Sequence, residues 1–295
     1  MANTSKPKVI ASFDVASLER GSITHGLSVS DDGNRMYGVL LGGPGGYASR
    51  IVEPDKLNNG FAIFDTSDVQ KRAPGAQIKL ISATYYQDGS TAQHTIPIKV
   101  AGKSYLVMVD EGGSAGLGSA EGAKVACSAN MTPFPMARIY DISDEKNPRL
   151  TSKLMLETHD PKNCDQILPD VAGLSIFTYG SHYCSVDNRA NATALACSYF
   201  NSGIRVFDIR NPAQPKEIAY YNPPSAPTAQ AGSSHAIFGQ WKAGGPDWCA
   251  SRLDFDYATR QLVTMCQDNG LQVMQFAPGT WPFAESMPSA DRNFN

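Results

Sequence analysis

One short motif recurs along the chain and constrains the fold more than any other feature. It reads GFAIFDTSD from Gly60, MARIYDISDEKNPRL from Met136 and GIRVFDIRNPAQPKEI from Gly203, with a degenerate copy, GLQVMQFAPGTWPF, from Gly270. Each copy is a short alternating apolar run, which is typical of a β-strand. The first three copies end in an aspartate, which we expect to form a turn by accepting hydrogen bonds from following amides. A further apolar run follows each of these three copies.

A second unit precedes each copy of the motif and begins at His25, His94, His182 and Asp247. Each unit is two β runs around a polar or glycine-bearing turn, and it therefore predicts a hairpin. The hairpin, the motif and the following run make four antiparallel strands. Radial repetition of four-stranded sheets is the plan of a β-propeller. A two-sheet sandwich is the structural alternative, but it would not need the same unit four times. We predict an all-β propeller with at least four blades.

The ends of the chain suggest how the ring closes. The last copy of the motif lacks a clear fourth strand, and residues 8–15 look like a fourth strand without a blade, so we expect them to complete the last blade. Alternatively, the sequence starts in the middle of a blade of a longer protein. Degenerate strands could also be hidden in the connections 157–181 and 222–246. The predicted single domain, 1–295, contains a closing strand at 8–15, blades at 25–86, 94–156, 182–221 and 247–276, and a tail at 277–295.

The repeats resemble those of the LVIVD-repeat family of bacterial propeller-like proteins. IYDISDEKNPRL and VFDIRNPAQPKEI carry the family signature clearly, and AIFDTSD carries it in part. The resemblance extends from about Lys8 to Phe276, although the final copy lacks the aspartate. It implies an exported propeller-like protein of unassigned activity.

Six cysteines provide independent information about the cellular compartment. Cys184 and Cys197 flank one predicted hairpin turn, Cys249 and Cys266 flank another, and Cys127 and Cys164 lie in two long connections. Three disulfides would place the protein in a periplasm or outside the cell, whereas six buried free thiols would suit a cytosolic protein. The first residues do not have the layout of a signal peptide, so an exported protein would have lost its signal or carry it outside this sequence.

The overall charge narrows the range of partners. A net charge of −3 and a pI near 5.9 give no electrostatic reason to expect nucleic acid. We find no run of about 18 apolar residues that could span a membrane. The expected partner is a protein, a glycan or a small-molecule ligand.

Three of the five histidines occupy the same position in their hairpins. His25, His94 and His182 each stand four residues before an apolar residue of the first strand, and Asp247 takes this place in the fourth hairpin. The first strand of each blade lines the channel of a propeller, so these four residues should converge at one mouth. They are the candidate metal ligands.

Strand pairing adds carboxylates to this predicted group. It returns Asp110 and Glu111 to the level of His94, and Asp268 to the level of Asp247. Imidazole with carboxylate suits one transition metal ion, such as Zn, Fe, Mn or Cu. The alternative is that each histidine is a structural latch between blades. The connection residues His159 and His235 could cap the mouth, but we expect them to be solvated.

The sequence contains none of the conventional catalytic motifs, and it leaves two functions to be distinguished. The first is a binding or scaffold propeller that uses one channel mouth. The alternative is a metal-dependent enzyme, of an oxidoreductase type, with the histidines at that mouth. A third option is that the propeller is one segment of a larger chain and has no separate function.

Overall fold

A computed structural model describes residues 5–41, 58–226 and 245–280. Within these residues, the chain forms three four-stranded sheets and one three-stranded sheet, all antiparallel, with the strands of each sheet in sequence order. The all-β, propeller-like fold that the repeats predict is therefore confirmed. The strands are β1 (Leu27–Val29), β2 (Arg35–Leu41), β3 (Asn59–Asp65) and β4 (Lys79–Tyr85) in the first sheet; β5 (Ser90–Val100), β6 (Lys103–Gly112), β7 (Ala137–Asp141) and β8 (Arg149–Leu154) in the second; β9 (Cys184–Val186), β10 (Ala194–Ser198), β11 (Ile204–Asp208) and β12 (Lys216–Tyr221) in the third; and β13 (Asp254–Asp256), β14 (Gln261–Cys266) and β15 (Gly270–Gln275) in the fourth.

The recurring motif forms the third strand of each sheet and ends in the same way in the first three. Asp65, Asp141 and Asp208 each accept a hydrogen bond from the amide two residues later, at 2.8, 2.9 and 3.0 Å. In each repeat, the register of pairing with the fourth strand also shifts between the two residues that precede the aspartate. The aspartates are therefore turn formers, as expected, and the three repeats are structurally equivalent.

Neighbouring sheets pack face to face through apolar side chains. Phe61 and Ile63 of the first sheet meet Leu106 and Met108 of the second, and similar clusters join the second sheet to the third and the third to the fourth. The first strands of neighbouring sheets are also in contact, because the hydroxyls of Ser28 and Thr95 lie 2.7 Å apart. β1 and β5 are therefore neighbours, and we call β1, β5 and β9, the first strand of each of these sheets, the inner strands.

The N-terminal segment differs from the prediction. Residues 8–14 contain no strand, and the fourth sheet has only three strands among the described residues. The ring of Phe13 instead packs edge-on against Phe64, with 4.9 Å between ring centroids, and the segment covers the outer face of the first sheet. The prediction that residues 8–15 complete the last blade is therefore wrong for the described structure. Val9 and Ile10 of this segment are exposed.

Two short helices lie in the connections from β6 to β7 and from β8 to β9. The helix at Ala120–Ser128 begins after Ser119, whose side chain accepts a hydrogen bond from the Gly122 amide at 3.0 Å. A disulfide between Cys127 and Cys164 joins it to the helix at Cys164–Asp170. Among the described segments, no helix combines the length and the apolar character needed to cross a bilayer. The helices are α1 (Ser67–Gln70), α2 (Ala120–Ser128) and α3 (Cys164–Asp170), with 3₁₀ turns at Val15–Ser17, Glu157–His159 and Pro161–Asn163.

All three disulfides have the predicted partners. Cys184 and Cys197 are opposite each other in the β9–β10 pair, and Cys249 and Cys266 form a bridge beside the fourth sheet. No free cysteine remains in the described residues, and the described ranges contain all six cysteines of the sequence.

Candidate binding site

Glu111 lies between two of the predicted histidines. His182 Nε2 is 3.1 Å from one of its carboxylate oxygens, and His25 Nε2 is 3.8 Å from the other. His25 stands two residues before β1 and His182 two residues before β9, while Glu111 lies near the end of β6. Three different sheets therefore contribute to one group. We call the group of His25, Glu111 and His182 the mouth.

The end of the β5–β6 hairpin directs Glu111 towards the histidines. The pairing shifts register between Ala92 and His94, and Ser90 then faces Gly112. A Cβ atom on Gly112 would lie 2.2 Å from the Ser90 hydroxyl oxygen, so the strands can approach this closely only with glycine there. Because side chains alternate along a strand, Asp110 and Glu111 point to opposite faces of β6.

His182 is held by a carbonyl and by aromatic rings. Its Nδ1 lies 2.7 Å from the Ala250 carbonyl oxygen, which can only accept, so Nδ1 carries the hydrogen. The ring packs edge-on against Tyr183 and lies 5.1 Å from the ring of Phe200, centroid to centroid. This arrangement fixes the ring and turns Nε2 towards Glu111.

His94 is next to the mouth but has a different environment. Its Nε2 accepts a hydrogen bond from the Cys184 amide at 3.3 Å, and its Nδ1 contacts the Gln93 side-chain oxygen. The ring also stacks on Tyr183, at 5.2 Å between centroids. Burial, together with the nearby imidazole of His182, lowers the pKa of His94 to about 3. Both nitrogens are engaged with protein groups, so His94 fits the latch alternative rather than the predicted ligand role.

Asp247 does not join the imidazoles. The carboxylate is buried and accepts hydrogen bonds from the amides of Trp248, Asp268 and Asn269 and from the Asn269 side chain, at 2.6 to 3.0 Å. These four donors use its oxygens to organise the turn after β14. The prediction that it serves as a fourth metal ligand with the histidines is therefore wrong, and Asp268 is likewise a turn residue that donates its amide.

One cluster of three metal-ligating atoms lies within 4.8 Å in the described residues. It consists of Asp247, Cys249 and Cys266. The two sulfurs form a disulfide, so they offer no thiolate, and a thiolate is what a metal would require of cysteine. This cluster does not fit a metal site.

Asp110, the neighbour of Glu111, is part of a buried ion pair away from the mouth. Its carboxylate pairs with Arg138 and accepts hydrogen bonds from the Tyr86 hydroxyl at 2.6 Å and from the Asn59 side chain at 3.3 Å. The Arg138 guanidinium lies 4.2 Å above the Tyr86 ring and also pairs with Asp88 at 3.0 Å. Burial raises the pKa of Asp110, and the Arg138 charge opposes this. Asp110 is thus structural, and only Glu111 of this predicted pair belongs to the mouth.

His159 and His235, in the connections between sheets, were both expected to be solvated. His159 is fully buried, and its Nδ1 accepts a hydrogen bond from the Leu156 amide at 2.7 Å, so the expectation of a solvated side chain is wrong. The apolar environment exists because Tyr199 and the second and third sheets pack around it. His235 lies outside the described residues.

At the end of the inner strands opposite to the mouth, three sheets are linked by Arg189, a residue that the sequence analysis did not identify. Arg189 donates to the Val29 carbonyl at 2.7 Å and to the Pro97 carbonyl at 3.2 Å, and so links the third sheet to the first two. It borders a cleft of about 590 Å³ that charged side chains of both signs line. A turn arginine has no sequence signal for this role, since its acceptors are backbone carbonyls of other repeats.

The aromatic side of the mouth was also missed. Phe200 stacks on Trp248 at 5.2 Å and lies at the same distance from Phe177, whose carbonyl accepts a hydrogen bond from the indole of Trp248 at 2.9 Å. Phe177 and Phe200 have φ angles of 58° and 45°, in the left-handed region that bulky residues rarely adopt. Such strain is found preferentially at functional sites. The residue type does not predict this backbone conformation.

No family model matches the chain, and no curated protein matches it significantly. Among solved structures, it is similar to the periplasmic gluconolactonase of Pseudomonas aeruginosa, with 11% identity and a TM-score of 0.47 over 91% of this chain and 55% of that one. It is also similar to a candidate 6-phosphogluconolactonase from Bacteroides uniformis, with 14% identity and a TM-score of 0.46 over 92% of this chain and 55% of that one. The chain spans about half the length of these two proteins.

Proposed function

We propose that this chain is an exported propeller that binds a small polar ligand at the mouth. The observation that carries this proposal is the position of His25 and His182, from different sheets, on either side of the recessed carboxylate of Glu111. Small-molecule sites commonly combine a few convergent polar groups with aromatic walls. Tyr183 and Phe200 supply the aromatic rings beside His182.

A thermal-shift experiment with matched variants tests the ligand site. The probes are neutral monosaccharides and primary amines, whose hydroxyl or ammonium hydrogens a carboxylate accepts. We expect at least one probe to raise the Tm of the wild type and of Glu217→Gln, which alters an outer-strand ion pair with Arg205, but not that of Glu111→Gln. An equal shift in Glu111→Gln, or no shift with any probe, would contradict the proposal.

The proposed export is supported by the three disulfides, which form and persist in oxidising compartments. We expect no reactive thiol in denatured, unreduced protein purified from its native host. Six reactive thiols in such protein would contradict export. Membership of the LVIVD-repeat family is part of the same proposal, and the equivalent aspartate turns of three repeats support it.

A second candidate function is a metal-dependent enzyme, of an oxidoreductase type, at the same mouth. The observation that favours it is the Nε2 atom of His182, which faces a carboxylate while Nδ1 is held by a carbonyl. Elemental analysis of protein purified without chelator tests this candidate. Less than about a tenth of an equivalent of any transition metal would exclude it, because a stable site retains its ion.

A further inference from the structure

We infer that the cleft beside Arg189 is a second binding site, which takes a small organic anion with a carboxylate or phosphate group. The cleft lies at the end of the inner strands opposite to the mouth, so this site does not depend on the function proposed for the mouth. Three observations carry the inference: the framework of the cleft, the partners of its charged side chains and a nearly buried tyrosine hydroxyl.

The ends of three hairpins, one from each of the first three sheets, form the framework of the cleft. Ser30 follows β1, Lys99 lies near the end of β5, and Arg189 lies between β9 and β10. The Lys99 amide donates to the Arg189 carbonyl at 2.7 Å, and the Ala192 amide donates to the Lys99 carbonyl at 2.7 Å. These backbone contacts fix the hairpin ends relative to one another. The volume of about 590 Å³ is within the range of roughly 300 to 1,000 Å³ that is typical of small-molecule sites.

Positive side chains outnumber negative ones around the cleft. Its charged lining residues are Arg35, Lys71, Lys99 and Arg189, and Asp31, Asp32 and Glu145. Each of the three carboxylates already has a partner within the protein. The Asp31 carboxylate lies 3.5 Å from the Arg189 guanidinium.

The other two carboxylates have closer partners. Glu145 accepts hydrogen bonds from Nε of Arg35 at 2.8 and 2.9 Å. Asp32 accepts hydrogen bonds from the Ser30 hydroxyl at 2.6 Å and from the amide and side chain of Asn34 at 3.0 and 2.8 Å. These contacts leave the carboxylates engaged, so they do not neutralise the lysines of the cleft.

Lys71 and Lys99 have no such partner. Among the residues that the structure describes, neither ammonium group takes part in an ion pair or a hydrogen bond. Lys71 follows α1, and Lys99 belongs to the second sheet, so the two charges reach the cleft from different elements. Ammonium groups form strong hydrogen bonds to carboxylate and phosphate oxygens. These two lysines are therefore the charges that a bound anion would neutralise.

Tyr37 supplies a neutral donor. Only 5% of its surface is exposed, and its ring packs in the apolar cluster between the first and second sheets. Burial, followed by the charge of Glu145, raises the pKa of the hydroxyl to about 12, so the hydroxyl keeps its hydrogen at neutral pH. Arg35 and Asp32 also act on this pKa, so the hydroxyl lies near the charged side chains of the cleft. Within the described part of the chain it has no hydrogen-bond partner.

The two lysines and Tyr37 together define the class of ligand. A nearly buried hydroxyl without a partner is stabilised when an acceptor enters the cleft. An oxyanion can accept hydrogen bonds from Tyr37 and from both ammonium groups, whereas a neutral ligand would leave the lysine charges uncompensated. Because the cleft is much larger than a phosphate ion, we expect the anionic group to be attached to a carbon skeleton.

Isothermal titration calorimetry at low ionic strength tests the inference, since salt screens exposed charges. The probes are glycerol 3-phosphate and malate, with glycerol as the neutral control. We expect the wild type to bind one molecule of at least one anion per chain and to show no saturable binding of glycerol. Lys71→Ala, Lys99→Ala and Tyr37→Phe should each weaken binding of that anion at least about fivefold, because each removes a hydrogen bond to a charged group. The probe that binds more tightly identifies the anionic group.

Lys162→Ala is the matched control, because it removes the charge of an exposed lysine that does not line the cleft. It should bind the anion as the wild type does. Circular dichroism and Tm establish that each variant is folded.

Three results would overturn the inference. The first is the absence of saturable binding of both anions by the wild type. The second is wild-type affinity in any folded variant of Lys71, Lys99 or Tyr37, or equal weakening in Lys162→Ala. The third is a changed affinity in Glu111→Gln, which would place the anion at the mouth instead. Failure of this test leaves the thermal-shift result for the mouth unaffected, because the two experiments use different probes and different variants.

Discussion

His159 illustrates how burial can perturb the pKa of a histidine. Burial, as the main cause, lowers its pKa to about 3, and the positive charges of Arg205 and Arg138 add to the effect. The Leu156 amide donates to Nδ1 at 2.7 Å, which requires a lone pair there. The folded protein therefore holds this ring neutral at pH values where an unfolded chain, with a histidine pKa near 6.5, binds a proton.

This difference predicts an acid-sensitive fold. Between pH 6.5 and 3 the unfolded chain binds more protons than the folded chain, so the free energy of unfolding falls as the pH falls, by up to about 1.4 kcal/mol per pH unit for one histidine. His159→Asn keeps an acceptor for the Leu156 amide and removes the titration. We measure the free energy of unfolding in urea from pH 7 to pH 4. In the variant it should fall less steeply with pH than in the wild type, by a slope that corresponds to about one proton. His94 contributes a dependence of the same sign that stays in the variant. An unchanged slope would contradict this account of His159.

Arg138 gives a second prediction at the residue scale. Its side chain is fully buried with Asp110, so Arg138→Met leaves an uncompensated buried carboxylate. We expect a loss of about 3 to 5 kcal/mol in the free energy of unfolding, measured with urea at pH 7. Lys103→Met is the control, because it removes an exposed partner of Asp141 and should have little effect. Similar losses in both variants would mean that the buried pair is not a major contribution.

At the scale of elements, strands were easier to predict from the sequence than helices. The motif strands combine alternating apolar residues with an aspartate turn, and both signals are local. Helices α2 and α3 have nine and seven residues, too few for a helical period to stand out. Residues 8–15 were predicted to be a strand of the fourth sheet, but residues 8–14 contain no strand and Phe13 packs on the first sheet. An apolar run in the sequence does not identify the surface on which it packs.

The candidate site was predictable only in outline. Equivalent repeat positions brought His25, His94 and His182 to one end of the sheets. The sequence could not separate His94 from His182, because the difference depends on the Cys184 amide and the Ala250 carbonyl. These backbone groups come from a neighbouring sheet and from a segment before the fourth sheet, and their directions follow from packing between repeats.

Removal of the Cys127–Cys164 disulfide and removal of the Cys184–Cys197 disulfide should have different local effects. Cys127–Cys164 joins α2 to α3 in connections without strand pairing, whereas Cys184–Cys197 joins strands already paired in register. In Cys127→Ala/Cys164→Ala we expect the α2 amides to exchange hydrogen at least about tenfold faster, with β10 unchanged. Cys184→Ala/Cys197→Ala is the matched control and should leave α2 unchanged. Unaltered α2 exchange in the first variant would show that the apolar cluster around Phe134 alone holds the helix.

At the scale of the whole molecule, the first and fourth sheets differ in what covers their outer faces. The outer face of the first sheet is covered by the N-terminal segment, through Phe13 and Leu18. The corresponding face of the fourth sheet carries exposed apolar side chains in the described structure, namely Met265, Leu271 and Val273. The N-terminal segment therefore takes the place that another sheet would occupy beside the first blade.

This arrangement predicts that Phe13 stabilises the fold by covering the first sheet. Phe13→Ala removes the contact with Phe64 and should lower the free energy of unfolding by about 1.5 kcal/mol, since the ring is only partly buried. Val9→Ala is the control in the same segment, and because Val9 is 87% exposed we expect a change below about 0.5 kcal/mol. Urea unfolding of both variants measures the difference. If residues 8–15 were a strand of the fourth sheet, Val9 and Phe13 would lie on the same face of that strand. Val9→Ala would then cost clearly more than about 0.5 kcal/mol, and that result would restore the closing strand.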